Sequence, residues 1–271
     1  MSLISVADLS TRLDDPDLIV CDVRFHLADH EQGRREYHAD HIPGARFVDL
    51  HTELAGEQGG GRHPLPDVAD FTALLGRLDI GPASFVVAYD SAGGATASRL
   101  WWMLRSIGHG RVTVLDGGYP AWQAAGHPTS TDVPAPGIGS YPPAPEWTGT
   151  IDADAVEQGA ALGATVIDSR DPARFRGDAE PIDARPGHIP GAVNRFFGEN
   201  LGPDGLMLPV PQLAARFAGL GASPIVYCGS GVTACHNLLA MSLVGVFGGR
   251  LYPGSWSEWS ADPERAVATG A

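Results

Sequence analysis

Four short patterns occur twice in this chain, in the same order. The apolar run Leu18-Ile19-Val20-Cys21-Asp22-Val23-Arg24 is answered by Thr165-Val166-Ile167-Asp168-Ser169-Arg170. His41-Ile42-Pro43-Gly44-Ala45 returns as His188-Ile189-Pro190-Gly191-Ala192, and Phe85-Val86-Val87-Ala88-Tyr89-Asp90 as Ile225-Val226-Tyr227-Cys228. Leu115-Asp116-Gly117-Gly118-Tyr119-Pro120-Ala121-Trp122 is matched by Leu251-Tyr252-Pro253-Gly254-Ser255-Trp256-Ser257-Glu258-Trp259. Matched landmarks lie 146, 147, 138 and 136 residues apart. An ordered, nearly constant offset marks a tandem duplication, and 271 residues hold two domains of ordinary size. Pro128 to Pro145 is rich in Pro, Gly and Ser and suits a connection better than a packed element. The expected layout is an N-terminal domain over 1–130, a linker over 131–147 and a C-terminal domain over 148–271.

Within each copy, apolar runs of four to six residues alternate with helix-like segments, such as Val68 to Leu78, Ala95 to Ile107, Pro211 to Leu220 and Val232 to Val244. Short continuous apolar strands separated by helices predict an α/β fold, a parallel sheet with helices on both faces in each domain. Sites in such sheets form beyond the carboxyl ends of the strands.

The charge balance narrows the chemistry. All 18 basic residues are Arg and the net charge is −14. A chain without Lys has no Schiff-base amine and no Walker lysine. An acidic chain without a basic run argues against nucleic acid or an anionic membrane as partner. No apolar stretch approaches the length of a membrane span, and the start lacks a leader-like pattern. Three cysteines form neither an even framework nor a CxxC pair, which speaks against disulfides and bound metal. A reducing, cytoplasmic setting is expected, where a lone thiol stays available.

Cys228 is that thiol. It closes the strand Ile225-Val226-Tyr227 and is followed by Gly229-Ser230-Gly231-Val232-Thr233-Ala234 at a helix start. Glycines allow the loop to turn tightly, and unpaired N–H groups at a helix N-terminus favour negative charge. Both features favour the ionised, nucleophilic sulfur. Rival chemistries fail at named positions. A cysteine phosphatase needs Arg at 234, which is Ala; a serine-hydrolase elbow needs Gly at 228; and a dinucleotide loop needs a third Gly at 234. Cys235 and Cys21 read as buried structural residues. His41 and His188 recur in both copies, including the one without the cysteine, and so read as architectural.

With the duplicated Asp-x-Arg and His-Ile-Pro-Gly-Ala units, the loop Cys228–Thr233 and the closing Gly254-Ser255-Trp256-Ser257-Glu258-Trp259, the chain resembles tandem-domain rhodaneses along its whole length. The resemblance implies two rhodanese-like domains, a catalytic C-terminal one and an inactive copy in which Asp90 stands at the place of Cys228. It also implies sulfur transfer through a persulfide on Cys228, without cofactor, to a thiol, a thioredoxin-like protein or cyanide. The Gly-Ser-Gly after the cysteine resembles the 3-mercaptopyruvate branch. Branches acting on thiosulfate carry basic residues there. Thiosulfate as donor, or a persulfide carrier that does not turn over, are the alternatives. Gly229, Gly231, Val232 and Thr233 would then line the donor site. Arg174 matches the family's carboxylate-binding Arg, and Arg185 is the nearest candidate for a second. Ser230 and His63 match the serine and histidine of a proton relay that would cross between the domains. Its acid is missing: His51 stands at the expected place after Phe47-Val48-Asp49-Leu50, so Asp49 or Glu53 substitutes, or the relay is a dyad. A monomer is expected.

Overall fold

Alternating apolar and amphipathic stretches fold as two parallel sheets flanked by helices in the computed structural model, which describes residues 2–57 and 60–271. The chain forms two compact units. The first comprises Met1–Gly56, Pro66–Thr148 and Pro203–Met207; the second comprises Glu57–Leu65, Gly149–Gly202 and Leu208–Ala271. Each unit thus contains a short segment from the other half of the sequence, which the repeat pattern gives no sign of. The Pro-rich 131–147 stretch lies in the first unit, where Arg46 donates to the Ala135 carbonyl and the Gly137 N–H to that of Arg77.

In the first unit the elements run β1 (Leu3–Ile4), α1 (Val6–Ser10), β2 (Leu18–Asp22), α2 (Gln32–Ala39), β3 (Arg46–Phe47), α3 (Val68–Arg77), β4 (Phe85–Tyr89), α4 (Ala97–Ser106), β5 (Val112–Leu115) and α5 (Gly118–Ala124). The sheet order is β1-β5-β4-β2-β3, with every pairing parallel. Its central strand β4 is buried from Val86 to Tyr89, as expected of a strand covered on both faces. Val20, Val87, Tyr89, Leu115 and Trp122 belong to one core.

The second unit repeats the plan with α6 (Ala153–Ala161), β6 (Val166–Asp168), α7 (Pro172–Arg176), β7 (Val193–Asn194), a 3-10 turn (Phe197–Asn200), α8 (Val210–Arg216), β8 (Ile225–Tyr227), α9 (Ala234–Leu243), β9 (Arg250–Leu251) and α10 (Ser255–Trp259). The order is β7-β6-β8-β9, again parallel, and a bridge from Thr150 to Leu251 takes the place that β1 has beside β5. Val166, Ile225, Tyr227, Trp256 and Trp259 lie in its core. Helix α8 ends four residues earlier than the apolar spacing predicts. Gly219 and Gly221 adopt left-handed backbone (φ 78° and 76°), which turns the chain, while Phe217 and Leu220 stay buried in the turn.

The repeated motifs do the same work in both units. Arg24 grips the Asp22 carboxylate through Nε (2.9 Å) and Nη2 (2.6 Å), and Arg170 grips Asp168 likewise (3.1 and 2.6 Å), all four side chains being buried. Each guanidinium also lies over an aromatic ring, Tyr119 at 4.3 Å and Trp256 at 4.5 Å. Such forked pairs lock the turn after β2 and β6. His41 and His188 each hold a carbonyl through Nδ1 at 2.7 Å, that of Tyr37 or of Phe175, and each pairs its backbone with a remote strand-like residue, Ser130 or Ala268. They are turn clamps, as their presence in both copies requires.

Candidate active site

In each sheet the strand order reverses between the first long strand and the next: between β2 and β4 in one unit, between β6 and β8 in the other. Ligand crevices open at such reversals. The residues just beyond them are Asp90 and Cys228, which the register makes equivalent, because Tyr89 faces Asp22 as Tyr227 faces Asp168.

The two loops treat their amides oppositely. Asp90 accepts from the N–H groups of Ala92, Gly94, Thr96 and Ala97 at 2.7–2.9 Å and from the Thr96 hydroxyl at 3.0 Å. A carboxylate of the chain itself fills that nest. In the second unit no side chain does so: the N–H groups of Gly229, Ser230, Val232 and Thr233 meet no acceptor among the described residues. Unspent amides around one point form an anion-binding concavity. Cys228, the residue that opens this loop, is 2% exposed.

Several contacts hold this loop still. The Cys228 N–H donates to Ser255 Oγ (3.2 Å), and the Cys228 and Gly229 carbonyls accept from Trp256 and Ser257 (2.9 Å each). Gly231 has φ 75°, and a Cβ there would stand 2.5 Å from the Pro253 carbonyl oxygen, so only glycine fits. The Val232 and Thr233 carbonyls accept from Cys235 and His236 at the start of α9. Residues Ala234–Met241 are all buried, with Asn237 donating to Ser169 Oγ (2.8 Å) and to the Arg195 carbonyl (2.7 Å). The Cys235 thiol donates to the Gly231 carbonyl (3.3 Å), and burial pushes the Cys21 thiol up to about 12. Neither is a rival nucleophile.

Ser230 and His63 are brought together, with His63 Nδ1 and Ser230 Oγ hydrogen-bonded at 2.9 Å and both residues buried. The expectation placed His63 in the N-terminal domain. Its segment, Glu57–Leu65, instead belongs to the same unit as Cys228. The candidate acids are used inside the first unit: Asp49 accepts from the N–H groups of His51 and Thr52 and pairs with Arg34, and Glu53 accepts from the Asp49 N–H.

Arg174 stands at the loop; a Cβ on Gly229 would lie 3.5 Å from its Nη1. Its Nη2 is held by Glu180 (2.8 Å) and Asp183 (2.7 Å). Burial alone would raise the Glu180 carboxyl, but the hydrogen bonds from Arg174 and the N–H groups of Asp183 and Ile182 outweigh it and hold the acid below its usual range.

Arg185 is not brought to the loop. Its guanidinium donates to the carbonyls of Trp259, Ser260, Asp262 and Arg265, closing the C-terminal end of α10. Arg185→Met is expected to cost about 2 kcal/mol of stability, from carbonyls left without donors. Urea unfolding checks this, and the KM for the sulfur donor should stay within about twofold. The guanidinium that does stand beside Arg174 belongs to Arg62, whose Nη2 lies 3.1 Å from the same Cβ point. Spacing along the chain could not reveal it, because Arg62 lies 167 positions before Gly229. Its neighbour His63, matched to a family motif, was the one available hint.

A family model for the rhodanese-like domain matches residues 5–125 and 152–262. The chain belongs to the rhodanese family. Relatives match over most of this chain. The "Probable 3-mercaptopyruvate sulfurtransferase" of Pseudomonas aeruginosa is 46% identical over 99% of this chain and 98% of its own length. Human 3-mercaptopyruvate sulfurtransferase is 38% identical over 88% of this chain and 83% of its own. The crystal structure of SseA from Escherichia coli, described with the 3-mercaptopyruvate sulfotransferases, superposes with a TM-score of 0.82 at 29% identity, covering 95% of this chain and all of that one. This rhodanese is an enzyme of the sulfurtransferase class.

Proposed function

We propose that the enzyme takes sulfur from 3-mercaptopyruvate onto Cys228 and passes it to a thiol acceptor. The observation that carries this reading is the Cys228 loop: a buried cysteine opens a loop in which the Gly229, Ser230, Val232 and Thr233 amides meet no acceptor among the described residues, and Ser230 is joined to His63. Its neutral Gly229-Ser230-Gly231 offers dipoles to sulfur rather than a charge to a compact dianion.

The Cys228 thiolate attacks the donor's sulfur. The carbon–sulfur bond breaks, and its electron pair passes to carbon as the enolate of pyruvate. The Ser230 hydroxyl gives that carbon a proton and regains one through His63, while the persulfide sheds the proton carried in on the donor's thiol. The loop amides stabilise the terminal persulfide anion. An acceptor thiolate, such as that of a small thiol or a thioredoxin-like protein, then attacks the outer sulfur, and the Cys228 thiolate leaves unchanged; cyanide would leave as thiocyanate. No step needs a metal or organic cofactor. At 2% exposure, Cys228 is reached only by a slim donor or by a thiol on an extended arm.

Comparing kcat/KM for 3-mercaptopyruvate and thiosulfate tests the donor, and a thiosulfate preference would overturn it. Repeated pyruvate release separates an enzyme from a persulfide carrier. Ser230→Ala and His63→Gln are each expected to slow pyruvate release by about 10²- to 10⁴-fold, the usual contribution of a positioned proton donor. Discharge of a preformed persulfide to the acceptor should hold its rate in both variants, as stopped-flow mixing will report.

A further inference from the structure

We propose that Arg62 is the second guanidinium of the donor site, closing with Arg174 on the carboxylate of the incoming 2-oxo thiol. The inference rests on the donor reading above and assigns a binding role to a residue of the Glu57–Leu65 segment.

Arg62 Nη2 and Arg174 Nη1 converge on one point, the place where a side chain on Gly229 would begin, at 3.1 and 3.5 Å. Neither nitrogen has a hydrogen-bond partner among the described residues, and neither does Arg62 Nε, which is buried. Polar groups held near a nucleophile without partners await a ligand. Their other edges are fixed by one carboxylate: Asp183 Oδ1 takes Arg62 Nη1 at 2.6 Å and Oδ2 takes Arg174 Nη2 at 2.7 Å. Asp183 is itself held, its N–H donating to Glu180 Oε1 at 3.0 Å. The Arg62 N–H is tied to Ser257 Oγ at 3.0 Å, and the next residue, His63, reaches Ser230. Both forks are therefore set before the donor arrives, which removes the ordering cost of binding.

The chemistry of the ligand follows. Arg62, Arg170 and Arg174 are balanced by Asp168, Glu180 and Asp183, so the cluster offers directed donors and no net positive charge. A planar carboxylate satisfies two converging N–H edges. A dianion would demand an excess of positive charge that this cluster lacks. Gly229 is not in the left-handed region. Its missing side chain is explained by the room that the two guanidiniums and the carboxylate between them require.

The test compares two donors on Arg62→Met: 3-mercaptopyruvate, and 1-mercaptopropan-2-one, which has the same thiol and ketone but no carboxylate. The KM for 3-mercaptopyruvate should rise on the order of 10- to 100-fold, as expected for one charge-assisted contact, with kcat little changed. The kcat/KM for the carboxylate-free donor should match that of the wild type. Arg176→Gln, which removes an exposed partner of Asp178, should leave both donors unaffected. If Arg62→Met does not fold, Arg62→Lys carries the same comparison, with a smaller rise. An equal loss with both donors would make Arg62 a support for His63 and overturn the proposal; so would an unchanged KM. A wild type that prefers thiosulfate would overturn the donor reading and this inference together, whereas a wild type active on 3-mercaptopyruvate with an indifferent Arg62→Met defeats this inference alone.

Discussion

After exposure to 3-mercaptopyruvate, the wild-type protein should gain about 32 Da, one sulfur atom held covalently, and Cys228→Ser should gain nothing. Turnover in that variant should fall by about 10⁴-fold or more, because removing the nucleophile leaves only what the binding groups supply. The alternatives inside the chain are weak. Burial pushes the Cys21 thiol up to about 12, and the Cys235 thiol is turned onto the Gly231 carbonyl. Serine keeps the shape of the side chain, so folding should change by no more than about 1 kcal/mol. Intact-mass spectra of both proteins decide the matter. An equal adduct on Cys228→Ser would move the sulfur to another cysteine and remove the assignment.

The largest change in stability is expected from Asp90→Ala. This carboxylate is 1% exposed and serves four backbone N–H groups and a hydroxyl in one loop. Deleting it strands donors that the fold holds in place, and the cost is about 3 kcal/mol or more, moderated where water reaches Ala92. Asp90→Asn keeps the size but loses the charge and half the acceptors, and should fall between Asp90→Ala and the wild type. Urea midpoints with unchanged m-values would show the series. A variant as stable as the wild type would mean that water satisfies the loop amides without help. The Cys228 loop, its register equivalent, would then not be expected to act as an anion-binding nest.

Much of this could be read in the chain itself. The doubled Asp-x-Arg and His-Ile-Pro-Gly-Ala patterns are local devices: Arg24 and Arg170 bind acids two residues away, so sequence spacing alone specifies the contact. The parallel sheets follow from runs such as Val86–Tyr89, whose uninterrupted apolar character suits only a strand covered on both faces. The importance of Cys228 was equally legible, since a strand end, two glycines and a helix start are adjacent in the chain. The partnership of Ser230 with His63 was legible only through family resemblance.

What remained hidden depends on contacts between residues far apart in the chain. Arg185 has the right chemistry and a nearly right position, yet folding commits its donors to carbonyls between 259 and 265. Arg62 carries no local mark, yet folding places it over Gly229 and hands it half of Asp183. Neighbouring residues alone specify the duplicated α/β plan and the paired turns, and they mark Cys228 as the candidate thiol at a strand end. Which guanidiniums keep nitrogens available to a ligand is settled by long-range packing. A charged group's availability depends on every partner that packing brings within reach, and those partners are set by the whole fold.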